Sequence, residues 1–322
     1  MYKIYNTKME NDNLPYISVI ITAYNRKEFL LNAIKSVLNQ TLDKEYYEII
    51  VIKNFIDKNI DDFIKVNNII GIISNQDSLS GKLAEALNIA RGTVISFLED
   101  DDLFFENKLD IVYKKFTNDS DIVYYHNLWI PINRNEKIIN MDYINTNLDV
   151  NMSSISIKKS IVTINKPNKI NISTVQDTLM YLYALESNKK IIKGKEKLTY
   201  YMLHNSTSNL VCNNFNEYRK NVVAMSNLYL NNYLFFNSLV HSQKAINYLN
   251  SKITEAQIYI YIFNSNKMPS KLINYIINSS GNLKYRIALF LSCILIKVYP
   301  ASREYISNKI WNLHSKWFEE LI

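Results

Sequence analysis

The chain has only five glycines and five prolines in 322 residues. None of the glycines builds a phosphate-cradling loop: Gly81-Lys82 is not a P-loop, because Gln76 stands five residues before Gly81 and Leu83 follows Lys82. Cysteine is rarer still. Cys212 and Cys293 lie far apart and outside any ligand spacing, which excludes a zinc site or a disulfide framework and fits a reducing compartment. Long apolar runs are missing too. The most apolar window, Ile287 to Ile296, is ten residues bounded by Arg286 and Lys297. As a helix it reaches about 15 Å against roughly 30 Å of hydrocarbon, too short to span a bilayer. The first residues, MYKIYNTKMENDN, are polar and lack the apolar core of an export leader, so cytoplasmic residence is expected.

What is present suffices for a packed protein. Hydrophobic residues make up 48% of the chain and aromatics 12%, enough for one large domain or two ordinary ones. The net charge of +7 suits an anionic partner, but the lysines are spread along the chain. A solvated mixed surface is the simpler reading, and no nucleic-acid partner is expected.

From Ile17 to Leu98 apolar runs alternate with helical periodicity, which predicts a parallel sheet covered by helices. Ile17 to Ala23 is a β-branched run suited to a strand buried on both faces. Asn25 stands where a helix cap belongs, with Glu28 three residues on. Further strands are predicted at 48–52, 69–73 and 94–98, with a helix over 82–90 stopped by Gly92. An α+β continuation follows, with helices near 107–116 and 178–185 and strands near 122–125, 153–157 and 191–203. Beyond Cys212 only amphipathic helical segments remain, including 218–235 and 285–298. The expected division is a tail over 1–14, a catalytic α/β domain over 15–211 and an α-helical region over 212–322.

Ligands of open parallel sheets collect at the carboxyl ends of strands, here Ala23-Tyr24-Asn25, Lys53-Asn54 and the run Glu99-Asp100-Asp101-Asp102. Four acids after a buried-type strand repel one another. A divalent cation bridging a carboxylate to a diphosphate accounts for such crowding better than a solvated turn does.

Three stretches, YISVIITAYNR from Tyr16, YEIIVIKNF from Tyr47 and GTVISFLEDDDLFFENKL from Gly92, resemble the family 2 glycosyltransferases of the GT-A fold. The last is the specific one, with its acid-x-acid element, trailing acid and Lys108-Leu109. The resemblance covers roughly 15–210. It implies a Rossmann-like nucleotide-sugar-binding domain with a C-terminal helical extension. It also implies inverting transfer of a sugar from a nucleotide diphosphate sugar to a hydroxyl acceptor, a glycan or lipid-linked glycan, assisted by Mn²⁺ or Mg²⁺. Glu99 and Asp101 match the outer positions of the acid element, with Asp101 the direct metal ligand. Ala23, Tyr24, Asn25, Asn54, Lys82, Glu99 and Asp100 then face the nucleotide sugar. Asp102, Ser153 and Ser154 fall on the acceptor side.

An inverting reaction needs a carboxylate to take the acceptor proton. Val175-Gln176-Asp177 resembles the family's Glu-Asp base motif with Gln for Glu, which makes Asp177 the catalytic candidate; capping a helix is its structural alternative. His204 resembles the histidine that closes the domain and ligates the cation, and a purely structural histidine is the other reading. Lys53-Asn54 departs from the family, which usually places an acid there to receive the base. That departure and Gln176 keep open a non-catalytic GT-A-like scaffold that binds a nucleotide or glycan. A nucleotidyltransferase is disfavoured by the missing Gly-rich loop after the first strand. The C-terminal helices admit either peripheral contact with the inner face of the cell membrane or packing as a bundle or homo-oligomer.

Overall fold

The computed structural model describes residues 3–5, 14–139, 151–164, 172, 174–203, 212–264, 267–279 and 282–319. It divides into two compact units, one within 1–131 and 148–202 and the other within 132–147 and 203–322.

The first unit is built on a nine-stranded mixed sheet. Strand β1 (Lys3–Tyr5) precedes β2 (Ile17–Ala23), helix α1 (Leu30–Leu38), β3 (Tyr47–Lys53), α2 (Lys58–Val66), β4 (Ile70–Ile73), α3 (Leu79–Ile89) and β5 (Val94–Glu99). Then come β6 (Leu103–Phe104), α4 (Lys108–Asn118), β7 (Ile122–Ile132), β8 (Ile155–Lys158), α5 (Lys159–Ile164), α6 (Gln176–Glu186) and β9 (Lys190–Met202). The strand order is β1-β4-β3-β2-β5-β8-β7-β9-β6. The four strands β4-β3-β2-β5 are parallel, and β1, β6 and β8 join antiparallel. The polar segment expected as a tail thus supplies an edge strand.

Burial on both faces explains the uninterrupted apolar strands. All seven residues of β3 are buried, and α1 turns Leu30, Ala33, Ile34 and Val37 onto the same core. The register aligns Ala23 with Lys53 and Thr22 with Glu99, so β2, β3 and β5 end along one edge.

Two helix starts differ from the sequence reading. Asn25 is not a cap: α1 starts at Leu30, and Asn25 holds φ 57°, a left-handed turn conformation that Asn tolerates. Helix α3 starts before Lys82 because the Ser78 hydroxyl accepts the Gly81 N–H at 3.1 Å. Gly92 lies so close to β2 that a Cβ would stand 2.5 Å from the Ser18 nitrogen, which explains a glycine there.

The second unit contains α7 (Phe215–Phe236), α8 (Gln243–Phe263), α9 (Leu272–Asn278), α10 (Leu283–Val298) and α11 (Ser302–Glu319). Ile258, Ile262 and Phe263 of α8 pack with Leu289, Cys293 and Ile296 of α10 in its core. Both cysteines are buried and neither is in a disulfide.

Candidate active site

The first turn and the acid run leave adjacent parallel strands and meet. The Tyr24 N–H donates to Asp100 Oδ2 at 3.3 Å. The Arg26 guanidinium ion-pairs with Asp100 and, at 2.5 Å, with Asp101 Oδ2. The turn is held from the other side by a reciprocal amide pair: the Asn25 N–H donates to Asn54 Oδ1 at 3.0 Å and Asn54 Nδ2 donates to Asn25 Oδ1 at 2.9 Å. An acid at position 54 could not make the second bond, which gives the Asn a structural reason. Its neighbour Lys53 is buried, 2.8 Å from Asp61. Ala23 is buried as the last residue of β2.

Tyr24 is 55% exposed, with Lys82 Nζ 4.6 Å from its ring centroid. An open aromatic face beside a cation offers a platform for a base and its phosphates. Burial lowers the Lys82 pKa, opposed by Asp77 and Glu85.

Behind the acids lies a buried polar web. The Glu99 N–H donates to Ser153 Oγ at 2.9 Å, and Asp102 Oδ1 accepts the Met202 N–H at 2.8 Å. Lys108 is buried too, donating to the Ser153 carbonyl and to Thr199 Oγ1 at 3.0 Å, with Asn127 on the same hydroxyl at 2.9 Å. Asp102, Ser153 and Ser154 have no exposed surface. Such residues form a floor that fixes Glu99 from behind; an open acceptor wall would leave them accessible.

Asp177 lies in the first turn of α6, half-buried, accepting the Thr178 N–H at 2.7 Å. Its charge is the last of the causes, after burial, Asp101 and Asp100, that raise the Glu99 pKa. The residue before the helix, Val175, has φ 58°, an outlier for a β-branched side chain of the kind that concentrates at functional sites. Gln176 is buried and donates to the Ile172 carbonyl at 3.0 Å. His204 lies outside the described residues.

The acids are difficult to ionise together. Burial, then Asp101, pushes Glu99 up to about 8, with Arg26 opposing. The same causes push Asp100 up to about 7, and burial with Asp101 and Glu99 raises Asp102 well above the carboxylate range. Burial disfavours the charged form of Arg26, but Asp101, Asp100 and Glu99 outweigh it and raise its pKa. The folded state therefore binds protons that the unfolded chain has already released, and stability falls as pH rises from the ordinary carboxylate range through about 7 to 8. In EDTA the thermal midpoint is expected to drop between pH 5 and pH 8, and Mn²⁺ should raise it more at pH 8 than at pH 6. A midpoint flat in pH and indifferent to Mn²⁺ would contradict that accounting.

The donor set fits a hard divalent cation in part. It is all carboxylate oxygen, and the buried Asp102 Oδ2 has no hydrogen-bond partner among the described residues. Among those residues no three ligating side chains gather into a complete metal site, so a cation here would need further oxygens from a diphosphate and water.

Arg26 was not singled out from the sequence. Its signal was present: an arginine one position beyond a strand-end turn, in a chain whose fourth strand ends in four acids.

Comparison with known proteins gives these features a context. Residues 18–176, just under half of the 322-residue chain, match the family described as Glycosyl transferase family 2. An uncharacterized glycosyltransferase of Rickettsia bellii is 34% identical over 127 residues, which are 38% of this chain and 18% of that protein. The chain spans 18% to 39% of the length of the curated relatives it matches. Among solved structures, residues 1–349 of Staphylococcus aureus TarS in complex with UDP superpose with a TM-score of 0.50 at 14% identity, covering 94% of this chain and 91% of that one. The mannosyltransferase PcManGT of Pyrobaculum calidifontis, in complex with GDP-mannose and Mn²⁺, gives 0.50 at 8% identity, covering 89% and 88%. At such identities the likeness establishes the fold, a GT-A sheet domain followed by helices.

Proposed function

We propose that this protein, which matches glycosyl transferase family 2 over residues 18–176, is an inverting, divalent-metal-dependent glycosyltransferase that moves a sugar from a nucleotide diphosphate sugar to a hydroxyl of a glycan or lipid-linked glycan. The observation that carries the reading is the convergence on one strand-end edge of an exposed Tyr24 and the acid run, joined by the bond from the Tyr24 N–H to Asp100.

In this reading the base stacks on Tyr24 with Lys82 beside it, and the Asn25–Asn54 pair holds the turn against which it lies. Asp101 would hold a cation, with Glu99 and Asp100 facing the donor. Bound there, Mn²⁺ or Mg²⁺ would neutralise charge on the leaving diphosphate. Asp177 takes the acceptor's proton while the hydroxyl oxygen bonds to the anomeric carbon from the face opposite the nucleotide. The bond to the diphosphate breaks, and the nucleoside diphosphate leaves with the electron pair. The fixed Glu99 backbone and the buried Asp102 web supply the rigidity such a constellation needs. Peripheral contact with the inner face of the cell membrane is part of the proposal and is developed below.

A non-catalytic nucleotide-binding scaffold is the second reading, favoured by Arg26, which already occupies an oxygen of Asp101. Thermal unfolding against UDP, GDP, CDP and dTDP, each with and without Mn²⁺ or Mg²⁺, separates the two. One nucleotide at 100 times its dissociation constant should add about 2.7 kcal/mol, and only with the metal. A shift that ignores the metal would support the scaffold. The absence of any shift would remove the nucleotide-sugar site altogether.

A further inference from the structure

Helix α10 carries apolar residues on two sides. Leu289, Cys293 and Ile296 line its inner side in the core of the second unit. On the opposite side Ile287, Leu291, Ile294, Leu295 and Val298 are exposed, Leu291 by 57% and Val298 by 78%. Their spacing of four, three, one and three places them on one stripe. A helix with two apolar faces belongs inside something, and the described residues cover only one. No helix among them is long and apolar enough to cross a membrane, so the outer face has no transbilayer role.

The charge around this helix indicates what covers it. Residues 267–316 contain eight Lys or Arg (267, 271, 284, 286, 297, 303, 309, 316) against one acid, Glu304. The rest of the chain then has 29 basic and 29 acidic residues out of totals of 37 and 30, so the whole excess of +7 lies in this stretch; Glu319 and Glu320 follow it. The lysines are not evenly spread after all. Helix α10 has no acid of its own. Lys284, exposed and seven residues before Leu291, stands on the outer stripe, and the exposed Lys297 flanks its far end.

We propose that the outer face of α10 docks on an anionic phospholipid surface, lying in the headgroup layer with its leucine and isoleucine side chains inserted and its lysines on the phosphates. The alternative occupant, a second copy, is disfavoured by the same charges. In a two-fold dimer this face would meet itself and bring the two basic stretches together with Glu304 the one acid in each to compensate eight basic residues. A lipid surface takes both features at once: aliphatic stems cover the boundary and the ammonium groups reach the phosphates.

The test uses the full chain without any sugar donor, so its outcome is independent of the transferase reading. Co-sedimentation is measured with vesicles of phosphatidylcholine alone and with about a third phosphatidylglycerol, at low salt and at about 0.5 M, where the Debye length is only a few ångströms. Binding is expected to the anionic vesicles, about tenfold weaker at high salt and on neutral vesicles. Leu291→Glu/Leu295→Glu should reduce it about tenfold with unchanged circular dichroism, since both side chains are about half exposed. Lys284→Glu/Lys297→Glu removes no apolar group and should weaken binding to anionic vesicles alone, which keeps the test decisive if the first variant folds poorly. No binding at low salt would overturn the proposal, as would undiminished binding by both variants. So would a dimer seen by light scattering that the leucine variant splits.

Discussion

Asp177→Asn is expected to lower sugar turnover by about 10²- to 10⁴-fold while leaving the nucleotide-induced thermal shift in place, the range by which positioned general bases contribute. The substitution is isosteric. Asn retains a side-chain oxygen that can accept the Thr178 N–H now held at 2.7 Å, so the start of α6 should survive. What disappears is the ability to take a proton as the acceptor oxygen attacks. The helix-capping alternative makes the opposite forecast: a capping Asp replaced by Asn costs little, and turnover would follow stability. Single-turnover rates at saturating donor, beside melting curves for both proteins, discriminate the two. Unchanged turnover with an unchanged melt would sink the base assignment, and lost nucleotide binding would show that Asp177 holds the site together.

Much of the first unit was legible because its strands are buried on both faces. An uninterrupted run such as Ile17 to Ala23 has little choice of conformation, and β2 matches the expected bounds at both ends. The order of strand and helix also placed three strand ends on one edge, and the structure joins Tyr24 to Asp100 across it. Less legible was whatever depends on partners distant in sequence. Arg26 and Lys108 are both basic residues two positions from an acid, and composition alone gives each a solvated role. Contacts 75 residues away for Arg26–Asp101 and 91 for Lys108–Thr199 decide otherwise. The antiparallel joining of β8 and β6 was invisible for the same reason: periodicity reports which face is buried, and says nothing of strand direction. Asn25 was misread as a cap because Asn serves both a helix start and a left-handed turn, and only its pairing with Asn54 separates them.

Arg26→Ala should cost about 3 kcal/mol of stability at pH 8 in EDTA, the low end for removing one partner of a buried ion pair. Asp100 is wholly buried and Asp101 nearly so, but the guanidinium keeps 31% of its surface in water, which trims the loss. The deficit should shrink towards pH 6. Below their raised pKa values Glu99 and Asp100 hold protons, and neutral carboxyl groups need no counter-ion. Mn²⁺ should restore more of the lost stability in the variant than it adds to the parent, because removing the guanidinium frees carboxylate oxygen for a cation that the parent's arginine contests. Arg26→Lys is the control. It keeps a positive charge but loses the planar fork that reaches two carboxylates at once, and it should fall between the two. Urea titrations of all three proteins at pH 6 and pH 8, in EDTA and in Mn²⁺, provide the comparison. A loss equal at both pH values and untouched by Mn²⁺ would mean that Arg26 acts through packing. A loss that follows pH and recovers with Mn²⁺ would mean that guanidinium and metal compete for the same negative charge, and that donor binding in this protein begins by displacing an arginine.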